Sequence, residues 1–302
     1  MDWAAAALAS AALFGMVTVG DKRLLDAYFP SVASFNFMVG MAQAASGLVV
    51  LAIVLPLLGV PSLETATLAL AAGALWAVGL SFFFFGLRRE EASRVTPIYS
   101  TFPIFTALLA LTFLSERLSA AQWGAMVVVV IGTGLISVRS SPGHRGFTNT
   151  KALLLVLVGA AITGAAFVVN KEALGGGEFW TVYGLRAMGL SAGFMVLSYR
   201  PTLMSDVLTA MRNPRALNLY LTIELLLATT AVLLQQLAIK LGPVSLVSAL
   251  NGARPLFVLG LTVLLSTRLW NVLNEPLDRN TVALKVIATA LIVGGIVGLT
   301  VT

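Results

Sequence analysis

Three ionisable residues lie deep inside apolar stretches of this sequence: Arg186, Glu224 and Arg254. A charged side chain near the centre of a bilayer costs about 2.5–3.5 kcal/mol on insertion scales, so such residues normally face the protein interior or a water-filled cavity. A guanidinium stays protonated there and offers a planar fork of donors that suits carboxylate and phosphate groups. Two arginines against one glutamate leave an unbalanced positive charge, which favours an anion-binding site.

The sequence around Arg254 suits ligand contact. Asn251 lies one turn before it, and Pro255 follows it, removing a backbone donor and freeing a carbonyl oxygen near Asn251. We therefore expect Arg254 and Arg186 to anchor a carboxylate or phosphate group. The alternative is a buried ion pair between Arg254 and Glu224 that only locks two helices together.

Three roles remain open for Glu224: contact with a substrate amine, proton coupling, and a structural partnership. Tyr220, Glu224 and Gln235 share one helix face, because positions three and four apart lie on the same side. The candidate substrate-binding residues are Arg254, Arg186, Glu224, Asn251, Tyr99, Tyr220, Gln235, Tyr183, Asn36, Gln43 and Trp76. Helix packing is the competing role for the milder polar groups, such as Asn36 and Gln43.

The composition identifies the elements that must position these side chains. The chain has 302 residues, of which 58% are hydrophobic and 11% charged, and its mean hydropathy is +0.94. Soluble domains carry about 25% charged residues. Apolar runs long enough to cross a ~30 Å hydrocarbon core occur at 3–21, 31–55, 66–87, 92–114, 120–138, 151–170, 178–199, 217–239, 243–266 and 281–301. The sequence therefore predicts an all-α membrane protein with ten transmembrane helices.

The basic residues predict an orientation for these helices. Fourteen of the 19 Lys and Arg residues fall in loops after odd-numbered helices; the exceptions are Arg186 and Arg254 within spans, and Arg117, Lys171 and Lys240 on the opposite side. The positive-inside rule makes the first set of loops cytoplasmic and places both termini outside.

The residue types also argue against several functions. The chain has no cysteine, a single histidine at position 144, and no G-x-x-x-x-G-K-[ST] phosphate loop. We therefore expect neither enzyme activity nor a cofactor or metal site, and no ATP-driven pumping by this chain. The net charge of +6 sits in short loops between spans, which suits a membrane surface better than nucleic acid.

The two halves of the chain repeat each other. FGMVTVGDK (14–22) aligns with TGAAFVVNK (163–171), and EASRVTPIYSTFPIF (91–105) aligns with PVSLVSALNGARPLF (243–257), so that Gly15 matches Gly164 and Pro103 matches Pro255. Each half holds five predicted helices, and an odd number makes the two copies enter the membrane from opposite sides. We predict a first module at 1–140, a linker at 141–150 and a second module at 151–302, related as two inverted five-helix repeats.

One segment carries a family resemblance. Residues 91–136, EASRVTPIYSTFPIFTALLALTFLSERLSAAQWGAMVVVVIGTGLI, combine a helix with a central proline, a short S-E-R-L turn and a Gly-rich helix. This pattern resembles the fourth and fifth helices of an EamA-type module of the drug/metabolite transporter superfamily. The resemblance implies two inverted five-helix modules, alternating access, and cytoplasmic termini, the last in conflict with the charge distribution. Glu116 in the turn is expected to cap the helix that follows it.

These features predict a secondary transporter in the plasma or inner membrane. Its expected partners are the lipid bilayer and a small organic solute with an anionic group, such as an amino acid, with protons as a candidate coupling ion. The alternatives are a flippase for a phosphate-bearing lipid carrier and a membrane scaffold without transport. A monomer and a homodimer both fit the sequence.

Overall fold

The computed structural model describes residues 2–89, 95, 98–137, 150–258, 260 and 279–301, and the regular structure of these residues is helical. The helices are α1 Trp3–Ala27, α2 Val32–Leu58, α3 Leu63–Arg89, α4 Phe102–Phe113, α5 Ala120–Ser137, α6 Thr150–Gly176, α7 Phe179–Leu197, α8 Leu203–Met211, α9 Pro214–Leu241, α10 Val244–Val258 and α11 Arg279–Val301. Helices α1, α2, α3, α6 and α9 are long and apolar enough to cross a membrane. The chain is a multi-pass membrane protein.

Each predicted span overlaps a helix of the described residues, although several helix ends differ and one helix was not predicted. Helix α8 was not predicted, because its nine residues form a short amphipathic surface helix rather than an apolar run. Helix α1 continues to Ala27 instead of ending at residue 21, and Asp21 consequently lies inside the bundle with 7% of its surface exposed. Residues 141–149 of the predicted linker, which include His144, and residues 274–278 lie outside the described residues.

Local sequence signals set several helix ends. The Ser31 hydroxyl accepts a hydrogen bond from the Ser34 backbone nitrogen at 3.2 Å and begins α2, which ends at Gly59 with a φ of 82°. Asn213 caps α9 by accepting from the Arg215 nitrogen at 3.0 Å. Serine and asparagine satisfy the unpaired N–H groups of a first turn, and glycine adopts positive φ without strain.

Helix α9 widens in its first half. Residues Leu221–Ala228 form a π-helical segment that carries Glu224. Such segments are rare and frequently occur at functional sites.

The main helix contacts join the first half of the chain to the second. Helix α1 packs against α9, α2 and α3 pack against α7, α3 and α4 pack against α6, and α5 packs against α11. Glycines allow the closest of these approaches: a Cβ added at Gly73 of α3 would overlap the Arg186 carbonyl oxygen, and one added at Gly189 of α7 would overlap the Leu70 carbonyl oxygen. The two halves are therefore interleaved.

Candidate functional site

The two core arginines each lie on an aromatic ring. The Arg186 Cζ atom is 4.3 Å from the ring centroid of Trp76, and the Arg254 Cζ atom is 4.0 Å from that of Phe14. The two rings meet edge to face, with centroids 6.1 Å apart and planes at 89°. Arg186, Trp76, Phe14 and Arg254 thus form one continuous arrangement, the arginine–aromatic stack. Cation–π contacts of this kind strengthen when they are removed from water.

Close helix packing and a broken helix position the stack. Gly73 brings α3, which carries Trp76, against the backbone of Arg186 in α7. Helix α10 is interrupted at Ala253, whose nitrogen donates to the Leu250 carbonyl oxygen at 3.1 Å, so that Arg254 begins a new turn. Pro255, which lacks a backbone N–H, accounts for the interruption predicted from the sequence.

The polar atoms around the stack are incompletely hydrogen-bonded. Arg186 donates from Nη1 to Gln236 Oε1 and from Nη2 to Gln235 Oε1, each at the long distance of 3.5 Å. The Nε atoms of Arg186 and Arg254 and the Nε2 atoms of both glutamines are buried and have no hydrogen-bond partner within the described part of the chain. Asn251 donates to the Val247 carbonyl oxygen at 3.2 Å, and its Oδ1 atom is likewise unpartnered. Buried polar groups normally have partners, so these donors and this acceptor can receive a ligand.

The two arginines have no acidic partner among the described residues. Their electrostatic neighbours are tyrosines, Tyr183 beside Arg186 and Tyr99 beside Arg254. Arg186 is 3% exposed, whereas Arg254 retains partial exposure although Ala253 and Pro255 are buried. The ion pair between Arg254 and Glu224, considered above, is not present.

Glu224 lies against Asp21 instead. The two carboxyl groups, from α9 and α1, lie within hydrogen-bonding range of each other, and both residues are buried, with 2% and 7% exposure. Gly20 packs directly on Ile223 at this level, where an added Cβ would lie 2.6 Å from the Ile223 side chain. Asp21 was missed because GDKRLLDA resembles a helix end. The available signal was the spacing of Gly20, Asp21 and Leu24, which all face inward.

The remaining candidates divide between the stack and helix packing. Tyr99 joins the stack region: its hydroxyl lies 2.9 Å from Thr163 Oγ1, and Trp76 is a further hydrogen-bond neighbour. The Tyr183 hydroxyl donates to Ser46 at 3.2 Å, from a ring that neighbours Arg186.

Two other candidates, Asn36 and Tyr220, form hydrogen bonds to neighbouring helices, and a third, Gln43, is buried. Asn36 donates to Ser81 at 3.0 Å, and the Tyr220 hydroxyl donates to the Met38 carbonyl oxygen at 2.8 Å beside Glu224. Gln43 is buried in α2. Phe14, which belongs to the stack, and Gln236, which accepts from Arg186, were absent from the candidate set. The adjacent pair Gln235–Gln236 inside an apolar span was the signal for Gln236.

Repeat-equivalent positions make equivalent contacts. A turn at Ser100 and Thr101 precedes α4, as the turn at Ala253 interrupts α10. A Cβ added at Gly15 would lie 2.9 Å from Phe257 Cβ, and one added at Gly164 would lie 2.9 Å from Phe105 Cβ. The first helix of each half thus meets the proline-containing segment of the other.

A second set of contacts holds the turn between α9 and α10. Glu116 accepts hydrogen bonds from the Val244 nitrogen at 2.8 Å and from the Ser245 nitrogen and hydroxyl at 3.2 and 2.7 Å. Lys171 donates to the carbonyl oxygens of Ile239 at 2.7 Å and Gly242 at 2.9 Å. The expectation that Glu116 caps the following helix is wrong.

The helix that follows Glu116 has a cap of its own. Ser119 Oγ accepts from the Gln122 nitrogen at 3.2 Å, and the Ser119 nitrogen donates to Gln122 Oε1 at 2.9 Å. This reciprocal pair is a capping box. Glu116 instead caps α10, the helix that begins at Val244.

Two cavities open elsewhere on the surface. One of about 380 Å³ lies where the α2–α3 loop meets the glycine-rich turn 175–177. The other, about 310 Å³, is an apolar groove between α3, α4 and α6 that includes Glu172. The stack residues line neither of them, so neither supplies a lateral path of the kind that a flippase requires.

Comparisons with known proteins agree with this architecture. The fold defines a multi-pass membrane protein whose core holds two arginines on aromatic rings. Residues 1–138 match the EamA-like transporter family, so the predicted resemblance is confirmed over that part of the chain. One solved structure, described only as the crystal structure of a protein, has a TM-score of 0.73 at 17% sequence identity and covers 99% of this chain and 96% of its own. It supports the fold.

One curated relative is also similar. An uncharacterized protein of Methanocaldococcus jannaschii is 32% identical over 72 residues, which cover 24% of this chain and 53% of that relative. The match thus spans about half the length of the relative.

Proposed function

We propose that this chain is a secondary transporter for a small organic solute with an anionic group, and that the arginine–aromatic stack binds that group. The observation that carries the proposal is the separation of charges in the core. Arg186 and Arg254 lie on aromatic rings and have no acidic partner among the described residues, while Asp21 and Glu224 contact each other.

Physical chemistry favours an anion at the stack. An uncompensated buried charge is strongly destabilising, and a ligand carboxylate or phosphate supplies the missing counter-charge. Charge-assisted hydrogen bonds to a guanidinium are about twice as strong as neutral ones. The unpartnered Nε atoms of Arg186 and Arg254 and the amide nitrogens of Gln235 and Gln236 provide donors for them. The unpartnered Oδ1 of Asn251 is an acceptor suited to the amine of a zwitterion such as an amino acid.

The candidate residues take graded roles in this proposal. The residues proposed to contact the solute are Arg186, Arg254, Trp76, Tyr99, Gln235 and Asn251. Tyr183, Asn36 and Gln43 position the helices around them. Glu224 pairs with the Asp21 carboxyl group, and Tyr220 lies beside Glu224.

We further propose that transport proceeds by alternating access between two inverted five-helix repeats. The paired contacts Gly15–Phe257 and Gly164–Phe105 support this, because a pseudo-twofold relation between the halves generates both. The helix interruptions before Pro103 and at Ala253 also occupy equivalent positions. In secondary transporters, discontinuous helices at a repeat interface frame the substrate site. A plasma or inner membrane location and a monomer or homodimer remain predictions.

A thermal-shift screen of the purified full chain against metabolite carboxylates and phosphates tests the site. We expect at least one compound to stabilise the parent protein and the exposed control variant Arg212→Gln, but neither Arg254→Gln nor Arg186→Gln. A shift retained in both core variants would refute the anion site. Stabilisation by a polyprenyl phosphate alone, with no response to soluble metabolites, would replace the solute with a lipid carrier. Uptake of the stabilising compound into proteoliposomes then tests transport itself.

A further inference from the structure

The carboxyl groups of Asp21 and Glu224 meet where the first helix of the chain crosses α9. Both residues are buried, and the Oδ1 atom of Asp21 is buried with no hydrogen-bond donor from the described residues. Glu224 is carried by the π-helical segment Leu221–Ala228, which packs on α1 at this level. Two acidic side chains from opposite halves of the chain thus share one closed space.

Cationic groups on the neighbouring helices are committed elsewhere. Arg186 of α7 donates to Gln235 and Gln236 of α9, and Lys171 of α6 donates to carbonyl oxygens of the segment 239–242. These acceptors are far from the pair, because Gln235 lies about 16 Å along the helix axis from Glu224 at ~1.5 Å per residue. On α10, Arg254 covers Phe14, which is two turns, or about 10 Å, from Asp21 along α1.

The groups at the end of α1 are also engaged. Lys22 pairs with Asp26 at 3.1 Å on the exposed face. Arg88 of α3 donates to the carbonyl oxygens of Leu25 at 3.2 Å and Pro30 at 2.9 Å. Helix α2 has no ionisable residue.

Tyr220, the remaining neighbour of the Asp21–Glu224 pair, also provides no positive charge. The Tyr220 hydroxyl beside Glu224 donates to the Met38 carbonyl oxygen. The groups surveyed in the described part of the chain therefore do not balance the pair, which leaves a charge shared within the pair or a small ion to do so.

Two adjacent carboxylates in a buried site do not both remain ionised unless a counter-charge is supplied, because like charges repel strongly in a low-dielectric interior. A hard metal ion is a poor solution, since such ions take about 6–8 oxygen ligands in the case of Ca²⁺ and two carboxyl groups supply at most four. One proton held between the two groups removes one charge and forms a short, charge-assisted hydrogen bond.

We propose that Asp21 and Glu224 form a binding site for a single proton, shared between the two halves of the chain. The site lies on the α1–α9 contact and is separate from the arginine–aromatic stack. Because it requires no substrate, the proposal stands or falls independently of the transport function proposed above.

Infrared spectroscopy of the purified full chain tests the site directly. A protonated carboxylic acid has a carbonyl-stretch band that ionised carboxylates lack, and this band shifts in D₂O. We expect the band at neutral pH in the parent protein and in Asp26→Asn, which removes an exposed carboxyl group five residues farther along α1. We expect its loss in the double variant Asp21→Asn/Glu224→Gln. Raising the pH should remove the band from the parent protein.

Several outcomes would overturn the proposal. One is a parent protein without the band, and another is a double variant that retains it. Loss of the band on adding sodium at constant pH would show that a metal cation, rather than a proton, balances the pair. If the double variant does not fold, the single variants Asp21→Asn and Glu224→Gln decide, because each replaces one half of the shared hydrogen bond and must shift the band. An unchanged band in both would contradict the site.

Discussion

The guanidinium carbon of Arg254 lies 4.0 Å from the centroid of the Phe14 ring. This contact joins the first helix of the chain to the helix interruption at Ala253 in the second half. The ring covers one face of the guanidinium and supplies no hydrogen-bond acceptor, so the planar edge of the group remains available to a ligand. Phe14 therefore holds Arg254 in place without neutralising it.

Removing this ring should weaken anion binding without abolishing it. A desolvated cation–π contact contributes about 1–2 kcal/mol, and each 1.4 kcal/mol is a factor of about 10 in affinity. For Phe14→Leu we expect the dissociation constant of a stabilising anion from the thermal-shift screen to rise about 5- to 30-fold, as measured by calorimetry. Phe113→Leu, at a side chain that is 75% exposed, is the matched control. Equal affinities in the two variants would show that the Phe14 ring contributes nothing to binding.

The sequence predicted the helices better than the partners of the charged residues. Long apolar runs locate the helices because each must match the bilayer thickness, and Pro255 located the interruption in α10. The partner of Arg254 depends on how α1, α9 and α10 pack, which periodicity does not encode; hence Glu224 was weighed as its partner, whereas Phe14 covers it. Asp21 escaped notice because its charged neighbours, such as Lys22, indicated that the helix ends at the membrane surface.

The carboxyl pair should make the stability of the protein depend on pH. Loss of the shared proton at alkaline pH leaves two adjacent negative charges that only the folded protein confines, so the melting temperature of the parent should fall as the pH rises. Asp21→Asn and Glu224→Gln each remove one of these charges, and their melting temperatures should fall less over the same range. Asp26→Asn should follow the parent. Parallel curves for all four proteins would contradict the prediction.

A glycine fixes the separation of the two helices that carry Trp76 and Arg186. A methyl group at Gly73 would overlap the Arg186 carbonyl oxygen, and interior overpacking costs about 1–3 kcal/mol. Gly73→Ala should therefore lower the melting temperature and also weaken anion binding, because it displaces Arg186 from the Trp76 ring. Gly124→Ala has no atom within 4 Å of the added group and should leave both measurements unchanged. If Gly73→Ala changed neither the melting temperature nor anion binding, α3 and α7 could move apart without affecting the site, and the prediction would be wrong.

Glu116 should stabilise the protein by capping a helix of the other half. Losing a helix cap costs about 0.5–2 kcal/mol, and Glu116→Gln weakens the three bonds to Val244 and Ser245 by removing their charge. We expect a lower melting temperature for this variant and no change for Glu172→Gln, whose exposed carboxyl group makes no such contact with α10. Chemical denaturation in detergent can measure the difference. Equal stability of the two variants would mean that the cap is replaceable by water.

The two predictions of membrane orientation can be separated by labelling cysteines from outside the cell. The chain has no native cysteine, and the two ends of the bundle offer well-exposed sites, Val60 at 89% between α2 and α3 and Tyr199 at 90% between α7 and α8. The positive-inside rule makes the Tyr199 end cytoplasmic. An impermeant maleimide applied to intact cells should therefore label Val60→Cys and leave Tyr199→Cys unlabelled until the cells are lysed. The reverse pattern would follow the habit of the EamA-type family, and would place the arginine-poor loops and the Glu116 cap on the cytoplasmic side.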